Sequence, residues 1–67
     1  MEKAEVFRFV DEKKAANILD ISVQTLRNWR LMRKGPAYFK MGRSVRYKVA
    51  DLNAYADERR IDPERMV

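Results

Sequence analysis

At 67 residues the chain has room for one small domain, which buries roughly 60% of its unfolded surface and leaves little for an enclosed active site. It contains no cysteine and no histidine, which excludes a disulfide framework, a thiolate metal site and the commonest general base, so the fold must rest on apolar packing. Fifteen Lys and Arg against ten Asp and Glu give a net charge of +5, and the excess is local: residues 22–48 hold eight bases and no acid, a patch that implies a polyanionic partner, nucleic acid first.

In chain order, Val6-Phe7-Arg8-Phe9-Val10 is aromatic and β-branched and predicts a short extended segment that lays one or two aromatics on the core. Asp11 stands where a helix N-cap belongs, and Glu12 adds favourable charge to the first turn of a helix over residues 12–19. Ala15, Ala16, Ile18 and Leu19 supply its inner face, the alanines allowing close approach of another helix. Asp20 tolerates the left-handed conformation of a tight turn, and Ser22 caps the next helix, which runs from residue 23 to about residue 33. Its buried stripe is Val23, Leu26 and Trp29, and Gly35-Pro36 stops it.

Two strand-like runs, residues 37–41 and 44–48, flank Gly42-Arg43 and read as a β-hairpin. In the second, Val45 and Tyr47 share one face, Arg46 and Lys48 the other, and alternation forbids Tyr38 and Phe39 both pointing inward. A last helix, about residues 51–60, buries Leu52, Tyr55 and Ala56 and sets Arg59 and Arg60 at its electronegative end. The expected organisation is a single domain over residues 1–67, ordered from about 6 to 61, with a fraying tail at 62–67. Gly35-Pro36, Gly42 and Asp62-Pro63 divide the chain into pieces too short to be domains, and no repeat or low-complexity segment is present.

Two short helices across a tight turn, a basic hairpin and a closing helix make the order of a winged helix-turn-helix: α+β, mainly α, three short helices plus a β-hairpin wing. Opposite the stripe of the second helix lie Gln24, Arg27, Asn28 and Leu31, flanked by Thr25 and Arg30. Gln and Asn can bond adenine N6 and N7, Arg can fork onto guanine, and Leu31 can pack on a thymine methyl. Thr25, Arg30, Arg33 and Lys34 suit phosphates, which set register without reading sequence.

The ordered set Val10-Asp11, Ala15-Ala16, Leu19-Asp20-Ile21-Ser22, Thr25-Leu26-Arg27, Trp29, Gly35-Pro36, Gly42-Arg43, Arg46-Tyr47 and Asp51-Leu52 resembles the excisionase and AlpA-like small regulators, relatives of the MerR-type DNA-binding domain. Each match alone is weak, and the order makes the set strong. The resemblance covers roughly residues 10–60. It implies a recognition helix, residues 22–33, in the major groove of double-stranded DNA and a wing, residues 37–48, on the adjacent backbone or minor groove. Gln24, Thr25, Arg27, Asn28, Arg43 and Arg46 carry over as contacts. Three positions depart from the family pattern. Asp20 stands for the usual turn glycine and brings a negative charge near the DNA-facing helix. Ala50 stands for a capping Ser or Asp, which weakens the last helix start by about 1 kcal/mol. Leu31 stands for a polar residue and either reads a base or joins the core.

The expected role is sequence-specific DNA binding without catalysis, by an excision factor or a transcriptional regulator of a mobile element or its host. An integrase or recombinase, RNA polymerase, or further copies on DNA are the partners this implies. No cofactor or metal is expected: the acids Asp51, Asp57, Glu58, Asp62 and Glu64 lack His, Cys or a glycine-rich loop beside them and read as a helix surface that steers DNA to the other face. With no 18-residue apolar run and no apolar leader, a cytoplasmic protein, bacterial or phage-encoded and nucleoid-associated, is expected, without a membrane partner. Alternative readings are a DNA-packaging or replication adaptor that recruits a larger enzyme, and a basic RNA or protein interaction module. RNA platforms generally expose aromatics for base stacking, whereas the interleaved aromatics here fit a core; Phe7 and Phe9 suit either the core or a partner.

Overall fold

The computed structural model describes residues 7–64. Val6 and the last three residues of the expected tail lie outside them. The elements are β1 (Phe9–Val10), α1 (Glu12–Leu19), α2 (Val23–Leu31), β2 (Phe39–Met41), β3 (Ser44–Lys48) and α3 (Val49–Glu58). Three helices with a three-stranded antiparallel sheet, order β1-β3-β2, make a mainly α winged helix-turn-helix.

Local chemistry sets the helix-turn-helix. The Asp11 carboxylate accepts from the Lys14 N–H at 2.8 Å and starts α1. Asp20 adopts φ 57° and ψ 45°. The chain closes over the helix end as the Asp20 N–H donates to Asn17 at 3.1 Å and the Ile21 N–H to Ala16 at 2.9 Å. Ser22 Oγ accepts from the Thr25 N–H at 3.0 Å and starts α2. The same closure ends α2: Arg33 takes φ 58°, its N–H reaches Arg30 at 3.1 Å, and the Lys34 N–H reaches Trp29 at 2.8 Å. Helix α2 therefore stops at Leu31, two residues before the expected end, and Arg33 and Lys34 belong to the turn.

The hairpin forms about Gly42-Arg43, with Phe39 opposite Arg46, Lys40 opposite Val45 and Met41 opposite Ser44. Gly42, at φ 63°, supplies the positive φ of the two-residue loop. The expected extended segment becomes a third strand, with Phe9 opposite Lys48 and Val10 opposite Tyr47. This pairing corrects the expected start of the last helix. The Arg8 carbonyl accepts from the Val49 N–H at 3.0 Å, so α3 begins directly from β3 with Lys48 at the cap and Ala50 already inside the helix. One orphan N–H is satisfied by the carbonyl just before β1 instead of a capping side chain.

Val10, Ala15, Ala16, Leu26, Tyr47 and Leu52 form the core, with Leu19, Ile21, Val23, Trp29, Val45 and Val49 packed on it. The alanines let α1 lie close to its neighbours, while Ile18 falls on the flank of that face and is exposed, against expectation. Ala56 is exposed as well, and Tyr55 is half-buried, its ring 5.6 Å from that of Trp29. Phe7, Phe9 and Tyr38 are exposed. Phe39 is also on the surface, packed edge-on against Phe9 at 5.0 Å.

Candidate nucleic-acid interface

Because Leu26 is fully buried and Val23 and Trp29 pack on the core, the opposite side of α2 is free. It carries Gln24, Arg27, Asn28 and Leu31, all exposed. Gln24 Nε2 donates to Asn28 Oδ1 at 3.1 Å, which holds the two amides side by side one turn apart. Each keeps donors and acceptors for a base edge. Leu31 is 83% exposed, which settles the choice left by the sequence: it is not a core residue.

The flanking groups divide. Thr25 Oγ1 lies 2.9 Å from Ser22 Oγ, so its hydroxyl is shared with the cap at the helix start. Arg33 and Lys34 are exposed in the turn after α2, and Arg43 is exposed at the hairpin tip. Arg46 is half-buried and donates from Nη1 to the Val45 carbonyl at 2.9 Å. Arg30 differs most from its expected place among the phosphate-facing bases. Its Nη1 donates to the buried Tyr47 hydroxyl at 3.1 Å, and its guanidinium lies 5.7 Å from the Tyr38 ring centre. With its side chain only 19% exposed, Arg30 ties α2 to β3.

Two open grooves border α2. One, about 460 Å³, lies between the start of α1 and the wing and is lined by Asp11, Glu12, Lys13, Arg30 and Arg43 to Arg46. The other, about 580 Å³, follows the end of α2 past Leu31, Arg33 and Lys34 to Tyr38. Basic side chains line both.

The sequence pattern conceals one acid among these bases. Residues 22–48 contain none, yet the Glu12 carboxylate stands between Arg27 and Arg30. Arg27 donates to Glu12 Oε2 from Nη2 at 2.6 Å and from Nε at 3.0 Å. Arg30 Nη2 lies 3.1 Å from Oε1, a buried oxygen, and adds a second ion pair to the same carboxylate. The Arg27 hydrogen bond foremost holds the Glu12 carboxyl below its ordinary value of 4.5, against the opposing effect of burial. The local sequence marks Glu12 only as a charge suited to a helix start, because nothing local links it to a residue fifteen positions on.

The outer face of the sheet, which Arg46 and Lys48 share as their alternation implies, also carries aromatics. Phe9 and Phe39 stand there with the Lys48 ammonium 5.6 and 5.5 Å from their ring centres. Exposed aromatics of the kind an RNA platform uses are thus present on this face, although Trp29 and Tyr47 pack inward. Among the described residues no cluster of His, Cys, Asp or Glu could hold a metal ion, and no helix is long and apolar enough to cross a membrane.

A family model described as a helix-turn-helix domain matches residues 9–60, from β1 to just past α3. No curated protein matches the chain.

Proposed function

Because this chain belongs to the helix-turn-helix family of AlpA- and excisionase-like small regulators, a DNA-binding family, we propose that it binds double-stranded DNA sequence-specifically, with α2 in the major groove. Gln24, Arg27 and Asn28 read base edges, and Leu31 packs on a thymine methyl. Thr25, Arg33 and Lys34 meet phosphates, while Arg43 and Arg46 bring the wing onto the adjacent backbone or minor groove. Arg30 supports α2 from behind. The observation that carries this reading is the Gln24–Asn28 amide pair beside Arg27 on the exposed side of a helix whose other side is core.

The role is that of an excision factor or a transcriptional regulator of a mobile element, bacterial or phage-borne, acting on the nucleoid in the cytoplasm. Its partners are an integrase or recombinase or RNA polymerase, with further copies along the DNA. Chemistry is not part of the role. The exposed Phe7, Phe9 and Phe39 favour a second reading, an adaptor that binds DNA and recruits a larger enzyme through that apolar surface.

Selection from a random duplex library, followed by titration of the winner and a scrambled control at about 150 mM salt, tests the choice. A recovered motif bound about a hundredfold more tightly than its control supports the sequence-reading regulator. Equal, steeply salt-dependent binding to both supports the adaptor and overturns α2 as a reader.

A further inference from the structure

An unpaired arginine on a DNA-facing helix is drawn first to phosphate, because a full negative charge attracts it more than a neutral base does. Such a contact adds affinity to every sequence alike. Arg27 is not unpaired. Its Nε and one proton of Nη2 are taken by a single oxygen of Glu12, a residue of the neighbouring helix, and the same carboxylate faces Arg30, which Tyr47 anchors to the sheet. Glu12 itself is only 22% exposed, so the carboxylate is held by its surroundings and acts as a fixed point. The Arg27 side chain is 47% exposed, and the end-on edge of its guanidinium, Nη1 with the second proton of Nη2, remains available for an acceptor.

Two consequences follow from this geometry. A carboxylate 2.6 Å from the guanidinium cancels much of its long-range pull and repels an approaching phosphate oxygen. The directional end-on donors survive, and they match the paired acceptors O6 and N7 of guanine. We propose that Glu12 is a specificity-determining residue, which withholds Arg27 from phosphates and presents its end-on edge to a base. This rests on the reading of α2 as the recognition helix. Glu12 is a positioning residue in this scheme: it acts through Arg27 and touches no DNA.

The test compares the native chain with Glu12→Gln, Arg27→Lys, Arg27→Ala and the double variant Glu12→Gln/Arg27→Ala, each on the selected duplex and on its scrambled control across a salt series, with thermal unfolding confirming the fold. In Glu12→Gln the freed Arg27 should gain about one phosphate contact, which steepens the salt dependence of scrambled-duplex binding by about one unit. Affinity for that control should rise several-fold while the ratio of selected to scrambled binding falls about tenfold, concentrated at one base pair, the loss of one good base contact. Arg27→Lys keeps Glu12 and Arg30 in place but has no planar edge to be oriented, and should lose the same preference even if Glu12→Gln fails to fold. In the Arg27→Ala background Glu12→Gln should leave the salt slope unchanged. A folded Glu12→Gln with native slope and native ratio overturns the role of Glu12, as does a slope change that persists without Arg27, or an Arg27→Lys variant that keeps the native preference. Should the native chain bind all duplexes alike, the recognition-helix reading itself fails, and this inference with it.

Discussion

Gly35 lies against the Trp29 side chain so closely that a Cβ at position 35 would stand 3.0 Å from both Trp29 Cβ and Cε3. The contact brings the chain back over the end of α2 and directs it into the wing, and Gly35 makes it at φ 96°. Gly42, at φ 63°, has no such neighbour within 4 Å. Gly35→Ala should therefore cost about 2–3 kcal/mol, combining backbone strain with displacement of the indole. Gly42→Ala should cost about 1 kcal/mol from the backbone alone. Urea unfolding of the two variants separates them, and equal losses would mean that Trp29 yields freely.

Arg30 and Tyr47 join α2 to the wing strand through a single hydrogen bond of 3.1 Å. Tyr47→Phe removes its acceptor at a fully buried site and should destabilise by about 0.5–1.5 kcal/mol. Arg30→Ala should cost more, since it also deprives Glu12 Oε1 of its neighbouring charge. If thermal unfolding of Arg30→Ala is native and only duplex affinity falls, to the extent seen in Arg33→Ala, Arg30 is the phosphate contact that its sequence position suggested.

Leu31→Ala distinguishes a surface leucine from a core one. At 83% exposure the change in stability should stay within about 0.5 kcal/mol, whereas a core leucine would lose about 2–5 kcal/mol. Binding to the selected duplex should weaken, with the scrambled control unaffected. Uniform weakening on both duplexes would remove Leu31 from base reading.

Wing and recognition helix should fail in different ways. Arg43→Ala at the hairpin tip should weaken binding to every duplex and lower the salt slope by about one unit. Gln24→Ala or Asn28→Ala should cost roughly 1–3 kcal/mol on the preferred site and little on random DNA. Because the two amides bond each other at 3.1 Å, their double variant should lose less than the two single losses together. Loss of sequence preference in Arg43→Ala would contradict the division of roles.

Acid should weaken the fold through Glu12. Its carboxyl is held below the ordinary value of 4.5 chiefly by the Arg27 hydrogen bond, so the folded state binds its proton less readily than the unfolded chain does. The stabilisation is complete above the unfolded value and is lost as pH falls through the lower, folded one. The stability difference between the native chain and Glu12→Gln should thus be constant from neutrality to about pH 5 and shrink below it. A gap that persists unchanged into strong acid would show that Glu12 contributes by packing rather than by charge.

Most elements of the fold were readable because their causes are local. Asp11, Asp20 and Ser22 act through backbone hydrogen bonds to residues at most four away, and Gly42-Arg43 turns a hairpin within its own two residues. Element ends were less legible. The left-handed Arg33 cuts α2 short, and β1 beside β3 lets α3 start early through the Arg8 carbonyl, which no capping rule applied to Ala50 could foresee. At the interface, periodicity found the outward face of α2, since the spacing of Val23, Leu26 and Trp29 defines its opposite. It could not assign Leu31 or Arg30, whose burial depends on where the wing docks.

By itself, then, the sequence determined the order of helices and hairpin, the basic stretch over residues 22–48 and the identity of the side chains opposite the core stripe. Those follow from hydrogen bonds and periodicities spanning a few residues. Only the tertiary structure decided which charges are free. The bonds from Arg27 to Glu12 and from Arg30 to Tyr47 cross 15 and 17 residues, and the Lys48 ammonium sits with Phe9 and Phe39 on paired strands. Such partners meet only after the helices and sheet have packed, because a charged side chain is attracted to whatever folding brings within a few ångströms of it, however far away it lies along the chain.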